Sequence, residues 1–127
     1  MPSAHRTTYK NISTVRQYTD MKKSNITLMK RGWFIGDFEP SILKTSEFEV
    51  GFLHHKKGEI WPAHYHQHMR EINLLTKGAM RICGQEIVAG DIFVIEKNEI
   101  ADPIFHEDCE IVCVKIPSIV GDKVEVL

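Results

Sequence analysis

Polar residues with scattered apolar ones, and no clear period, fill roughly the first 25 positions of the chain; the texture changes at Ile26. From there short β-prone runs recur every eight to twelve residues, separated by Gly, Asn, Asp and Pro. That spacing predicts an all-β sandwich or barrel. Phe48, Val50 and Phe52 alternate with Glu47, Glu49 and Gly51, so a strand here has one apolar face at period two. Residues 60–66 follow, broken by Pro62; 71–76 end at Lys77-Gly78; 79–83 lead to Gly84-Gln85, read as a hairpin tip; and 86–88 end at Ala89-Gly90-Asp91. Residues 92–95 and 111–116 are continuous apolar runs, the signature of strands buried on both faces. No stretch holds a helical period beyond about ten residues, and there is no internal repeat. The pattern predicts a loosely attached N-terminal arm, residues 1–25, with at most a short helix or edge strand, and one β-barrel domain over residues 26–127.

Composition agrees with a single soluble domain: 127 residues, 43% hydrophobic and 26% charged. No apolar run approaches the length of a membrane span, and the start lacks an apolar signal region, so a cytoplasmic protein without a membrane partner is expected. Three cysteines, Cys83, Cys109 and Cys113, do not make a disulfide framework. Cys113 lies within an apolar run and reads as a small buried hydrophobe. The net charge of −1 is unevenly spread: residues 1–31 carry seven Lys/Arg against Asp20 alone, the rest nine against sixteen acids. The basic arm lacks the interleaved aromatics of a nucleic-acid surface, so a solvated arm is expected and no nucleic acid.

The candidate chemistry is a histidine cluster. In the order Gly58, five residues, His64-Tyr65-His66, four residues, Glu71, six residues, Gly78, the two imidazoles stand at i and i+2. On a strand both point to one face, and Glu71, opening the next strand after a tight connection, can face the same pocket. Two imidazoles and a carboxylate suit Fe(II), Mn, Ni or Zn, and leave coordination positions open for substrate or water. His-X-His alone is weak evidence; Glu71 and the framing glycines strengthen it.

The segment from Gly58 to Gly78 resembles the first motif of the cupin superfamily, G-x5-H-x-H-x(3,4)-E-x6-G, at every defined position. The second motif starts well at Gly90-Asp91 with Ile92, Phe93, Val94 and Ile95, then departs: Glu96 replaces the usual Pro, Asn98 the usual Gly, and Ala101 the usual last histidine ligand. The resemblance runs from about Phe48 to Pro117. It implies a double-stranded β-helix, or jelly-roll barrel, with its site inside, a homodimer, and a divalent metal held by His64, His66 and Glu71. Ala101 cannot ligate; Asp102, His106 and His68 are conceivable substitutes without a spacing argument. The flanks at residues 32–41 and 115–118 resemble small cupins encoded beside carbohydrate-biosynthesis genes, which hints at a sugar-related substrate.

Among other residues, Trp61 is read both as a pocket wall that contacts substrate and as packing at the barrel end. Tyr65 should face away from the two histidines. His54 continues the face of Phe48, Val50 and Phe52 towards the barrel mouth. Glu96, Glu99 and Asp102 read as a solvated loop. Three functions follow. The first is a metal-dependent enzyme acting on a small molecule by oxygenase or isomerase chemistry. The second is a metal-free isomerase or epimerase of nucleotide-linked sugars, using His64 or His66 as general base, for which Arg70 or Arg81 would be wanted near the pocket. The third is a barrel that binds a small molecule without catalysis.

Overall fold

The computed structural model describes Val15 and residues 20–126; most of the expected N-terminal arm lies outside the described residues. The domain opens where Asn25 accepts the backbone N–H of Thr27 at 3.0 Å and starts a single 3-10 turn, Ile26–Leu28. Eleven strands follow: β1 (Trp33–Gly36), β2 (Leu43–Lys44), β3 (Glu49–His55), β4 (His64–His66), β5 (Arg70–Lys77), β6 (Ala79–Ile82), β7 (Gln85–Val88), β8 (Ile92–Ile95), β9 (Ile104–Phe105), β10 (Cys109–Ile116) and β11 (Lys123–Glu125). One layer is a six-stranded sheet in the order β2-β1-β3-β10-β5-β8. The other is built from β7-β6-β9 and the pair β11-β4, joined through backbone bridges Ile60 to Ile104 and His64 to Ala101. Apart from the short parallel contact of β1 with β2, the strand pairings are antiparallel.

Period-two alternation decides which side chains enter the barrel. Along β10 the inward series is Cys109, Ile111, Cys113 and Lys115. Cross-strand pairing matches it with Gly51, Leu53 and His55 on β3 and with Glu71, Asn73 and Leu75 on β5. Leu75, Met80, Ile82, Ile87, Ile95, Phe105 and Ile111 fill one end from both layers, with Leu75 fully buried. Two glycines keep this frame closed. A side chain at Gly51 would stand 2.7 Å from the Trp33 ring, and one at Gly78 (φ 97°) would stand 2.3 Å from the Asp108 carbonyl.

Three expectations need correction. The side of β3 that packs on the core carries Gly51, Leu53 and His55, because these pair with the buried Cys113, Ile111 and Cys109; of the face of Phe48, Val50 and Phe52, only Phe52 reaches the barrel cavity, and His54 lines it as well. Residues 92–95 are not buried on both faces: β8 is an edge strand that buries Ile95 and leaves Ile92 71% exposed. The hairpin turn is Cys83-Gly84, both at positive φ (50° and 74°), as a two-residue turn matched to strand twist requires.

Candidate functional site

The barrel interior is not filled. A cavity of about 770 Å3 lies against the apolar cluster, which lends it Met80, Ile82, Ile95, Phe105 and Ile111, and His64, His66 and Glu71 all line it. The i, i+2 spacing on β4 puts both imidazoles on the inner face, with ring centroids 5.6 Å apart. Residues 67–69 turn the chain, and Glu71 enters from the second position of β5. His66 is buried and its Nε2 lies 3.4 Å from Oε1 of Glu71. The pair is close but not aligned as a hydrogen bond, so neither ring nitrogen of His66 has a hydrogen-bond partner. A buried imidazole left in this state is costly unless something else occupies it.

Glu71 is held ionised. Burial pushes its pKa up, but His66, the Lys115 ammonium 3.9 Å away and the Asn73 amide, which donates to Oε2 at 3.0 Å, outweigh that and bring it down to about 2. Lys115 faces Glu71 because the two are cross-strand partners of β10 and β5. His64 lies 3.1 Å, Nδ1 to O, from the Pro62 carbonyl. A carbonyl only accepts, so Nδ1 carries the proton and Nε2 keeps a lone pair. Burial lowers the pKa of His64 and keeps it neutral.

This donor set fits a divalent metal. Two ligands of one ion, each about 2.1 Å from it, stand about 3.0–3.4 Å apart, the separation seen between His66 and Glu71. The backbone carbonyl behind His64 is the outer partner a ligating imidazole needs. Among the described residues, however, no group of three His, Cys, Asp or Glu side chains stands close enough to hold an ion, so His64 has to move for all three to share one.

A second polar group, which sequence reasoning missed, lines the same cavity. His55 packs flat against Phe105, with centroids 4.4 Å apart, and its Nδ1 lies 2.6 Å from Oε2 of Glu59. The same carboxylate oxygen accepts the indole N–H of Trp61. These bonds, that of Trp61 foremost, lower the pKa of Glu59 against a smaller effect of burial. Trp61 does line the cavity, and the Lys123 ammonium sits over its ring, 4.3 Å from the centroid. The signal for His55 was present in the parity of β3 once Leu53 is placed inside; Lys115 and Lys123 are inward by pairing with Glu71 and His66, which needs the register.

Other candidates lie elsewhere. Tyr65 does not line the cavity, as expected. Arg70 pairs with Glu96 at the surface and Arg81 is exposed, so neither serves the cavity. The cations that do are Arg31, Lys115 and Lys123.

No family model matches the sequence, and no curated protein does. Solved structures do match. A protein from Klebsiella pneumoniae with a double-stranded β-helix domain is 20% identical, with 68% of this chain and 80% of that one covered, at a TM-score of 0.57. An RmlC-like cupin from Ralstonia eutropha is 14% identical over 65% of this chain and 58% of that one, at 0.51. The chain has the cupin fold. The DMSP lyase DddQ from Ruegeria pomeroyi is 12% identical and covers 88% of this chain and 59% of its own, at 0.59.

Within the cupin barrel, Ala101 exchanges two backbone hydrogen bonds with His64, of 2.7 and 3.0 Å, and is 3% exposed. The position of the usual last ligand is therefore beside His64 and carries a methyl group. No described side chain replaces it. Asp102 accepts the Cys83 N–H, His106 pairs with Glu86, and His68 pairs with Asp122; none lines the cavity.

Proposed function

We propose that this cupin binds a small molecule in its barrel cavity and acts on it at a divalent metal held by His64, His66 and Glu71. The observation that carries the reading is the buried His66, with both ring nitrogens lacking hydrogen bonds and Nε2 facing an ionised carboxylate. A metal ion there would supply Lewis-acid polarisation of a bound oxygen. The chain's own residues do the rest. The Pro62 carbonyl fixes the tautomer of His64. Asn73 and Lys115 hold the Glu71 carboxylate. Ala101 leaves room on one side of the triad, so a ligand can approach there. That a neighbour in shape is a lyase agrees with an enzyme on this fold.

The test is metal content, measured on protein purified without chelator, beside a His64→Ala/His66→Ala double variant. Metal close to one per chain in the wild type and none in the variant is the expected result. No metal in either, after reconstitution with Fe(II), Mn, Ni and Zn, overturns the reading. The homodimer carried by the resemblance belongs to the same proposal; light scattering at twice 14.6 kDa would support it.

A second reading is favoured by the His55–Glu59 pair. An imidazole whose Nδ1 is bound to a carboxylate leaves Nε2 for proton transfer, which is what a metal-free isomerase requires. A reaction that survives metal removal and is lost in His55→Phe would select it.

A further inference from the structure

The cavity holds more positive charge than its own carboxylates use. Of its two carboxylates, Glu59 is taken up by His55 and Trp61, and Glu71 by Lys115, His66 and Asn73. Among the described residues Arg31 and Lys123 form no ion pair. Yet both line the cavity, and β11 pairs Lys123 with His66, which puts its side chain on the same inner face. The ammonium rests on the Trp61 ring and that of Lys115 lies 4.9 Å from the Trp33 centroid.

The backbone presents Arg31 at a cost. Arg31 and Gly32 form the turn closed by the Trp33 N–H on the Lys30 carbonyl, and both have positive φ, 50° and 86°. Positive φ is strained for arginine, where asparagine or glycine would be relaxed. The next position must be glycine, because a Cβ on Gly32 would stand 2.0 Å from the Phe52 carbonyl. A strained position thus carries a guanidinium to the mouth of a cavity where, among the described residues, no carboxylate pairs with it.

We infer that the cavity recognises the oxyanion of its ligand, a carboxylate or a phosphate, through Arg31 and Lys123. The guanidinium fork matches either group in two-pronged fashion, and the ammonium adds a point charge. Both side chains are exposed at the rim of the cavity, so salt should weaken their contacts with an anion. The inference rests on the cavity being the ligand site, as proposed above, but not on the metal.

The two tryptophans of the chain, Trp33 and Trp61, both line the cavity, so intrinsic fluorescence reports binding there. Metal-stripped full-length protein is titrated with glucose 1-phosphate, glucuronate and neutral glucose, each up to about 10 mM. The expected result is saturable change with at least one anion, about tenfold tighter or more than with glucose, weakening as KCl rises from about 50 to 300 mM. The preferred anion tells phosphate from carboxylate. Arg31→Met and Lys123→Met, which keep the apolar stems, should each weaken that binding by about tenfold or more, and Lys123→Arg should restore most of it. Glucose binding as well as the anions, none of the three binding, or correctly folded Met variants binding like the wild type would overturn the inference. Should those variants not fold, wild-type affinity unmoved by KCl would overturn it. Because the protein is stripped, failure of the metal reading leaves this result unaffected, and metal content is read separately.

Discussion

Replacing Asp122 tests how the site is held. Asp122 precedes β11 and its side chain is 1% exposed. Its carboxylate accepts the backbone N–H groups of His68 (3.0 and 3.1 Å) and Met69 (2.9 Å), and Nδ1 of His68 lies 2.7 Å away. These residues make the turn that places Glu71 opposite His66, and the next residue, Lys123, lines the cavity. In Asp122→Ala two backbone donors lose a charged acceptor, and Met69 is too buried for water to replace it. At about 1.5–3 kcal/mol for each charge-assisted bond, the loss is about 3–6 kcal/mol. The His68 ring is two-thirds exposed, so its contact adds little. Asp122→Asn, which keeps an oxygen acceptor, should lose about 1–2 kcal/mol. Burial raises the pKa of Asp122, but the His68 backbone and side-chain bonds and the Met69 backbone bond prevail and lower it below 3.8. Its stabilising effect is therefore complete above the unfolded value and disappears as pH falls through the lower folded value. Urea unfolding followed by tryptophan fluorescence gives the free energies, provided the slope is unchanged. An Asp122→Ala variant within about 1 kcal/mol of wild type at neutral pH, or a gap that stays constant into acid, would refute the reasoning.

Three other outcomes are expected. Leu75→Ala removes a fully buried side chain at the closed end of the barrel and should cost about 3–5 kcal/mol in the same unfolding assay, with smaller values meaning that the end collapses around the gap. Asn73→Ala takes away the amide that holds Oε2 of Glu71, so metal affinity measured by competition with a chromophoric chelator should drop about 10- to 100-fold while the fold survives. Cys109 and Cys113 are each 1% exposed and burial raises the pKa of both, so a thiol reagent should label at most Cys83 in the native protein and all three in denaturant.

The architecture was legible because turn residues and short β-prone runs alternate along the chain, and the glycines at 58, 78, 84 and 90 all take positive φ. The inner face of β4 was legible for the same reason: His64 and His66 are two apart, and parity cannot separate them. Parity failed at β3, where the face turned away from the core carries the larger hydrophobic residues, Phe48, Val50 and Phe52. The core face there is glycine, leucine and histidine because Gly51 gives way to Trp33. Composition pointed at the wrong side, and His55 was missed with it. Arg70 and Arg81 were sought as phosphate partners by proximity in sequence to the histidines. The cations that reach the cavity come from a turn before β1 and from β10 and β11, far away in sequence, and only strand register brings them in.

The inward series of β10 shows why chemistry collects at one end of this barrel. Cys109, Ile111 and Cys113 belong to the apolar cluster, the last two also line the cavity, and Lys115 continues the same face into it. Lysine is tolerated there because its cross-strand partner is Glu71, and Glu71 stays charged because of Lys115, His66 and Asn73. Their side chains are only 17% and 15% exposed, so either charge alone would carry an uncompensated desolvation cost. The charge network thus depends on the register of β5 with β10, and that register is fixed deeper in the barrel, where Leu75 pairs with Ile111 and Asn73 with Cys113. Packing at the closed end thereby sets the distance between Glu71 and the histidines at the open end. A one-residue slip of β5 would turn Leu75 outwards and remove Glu71 from the cavity in the same step, so selection for the core also holds the site in place.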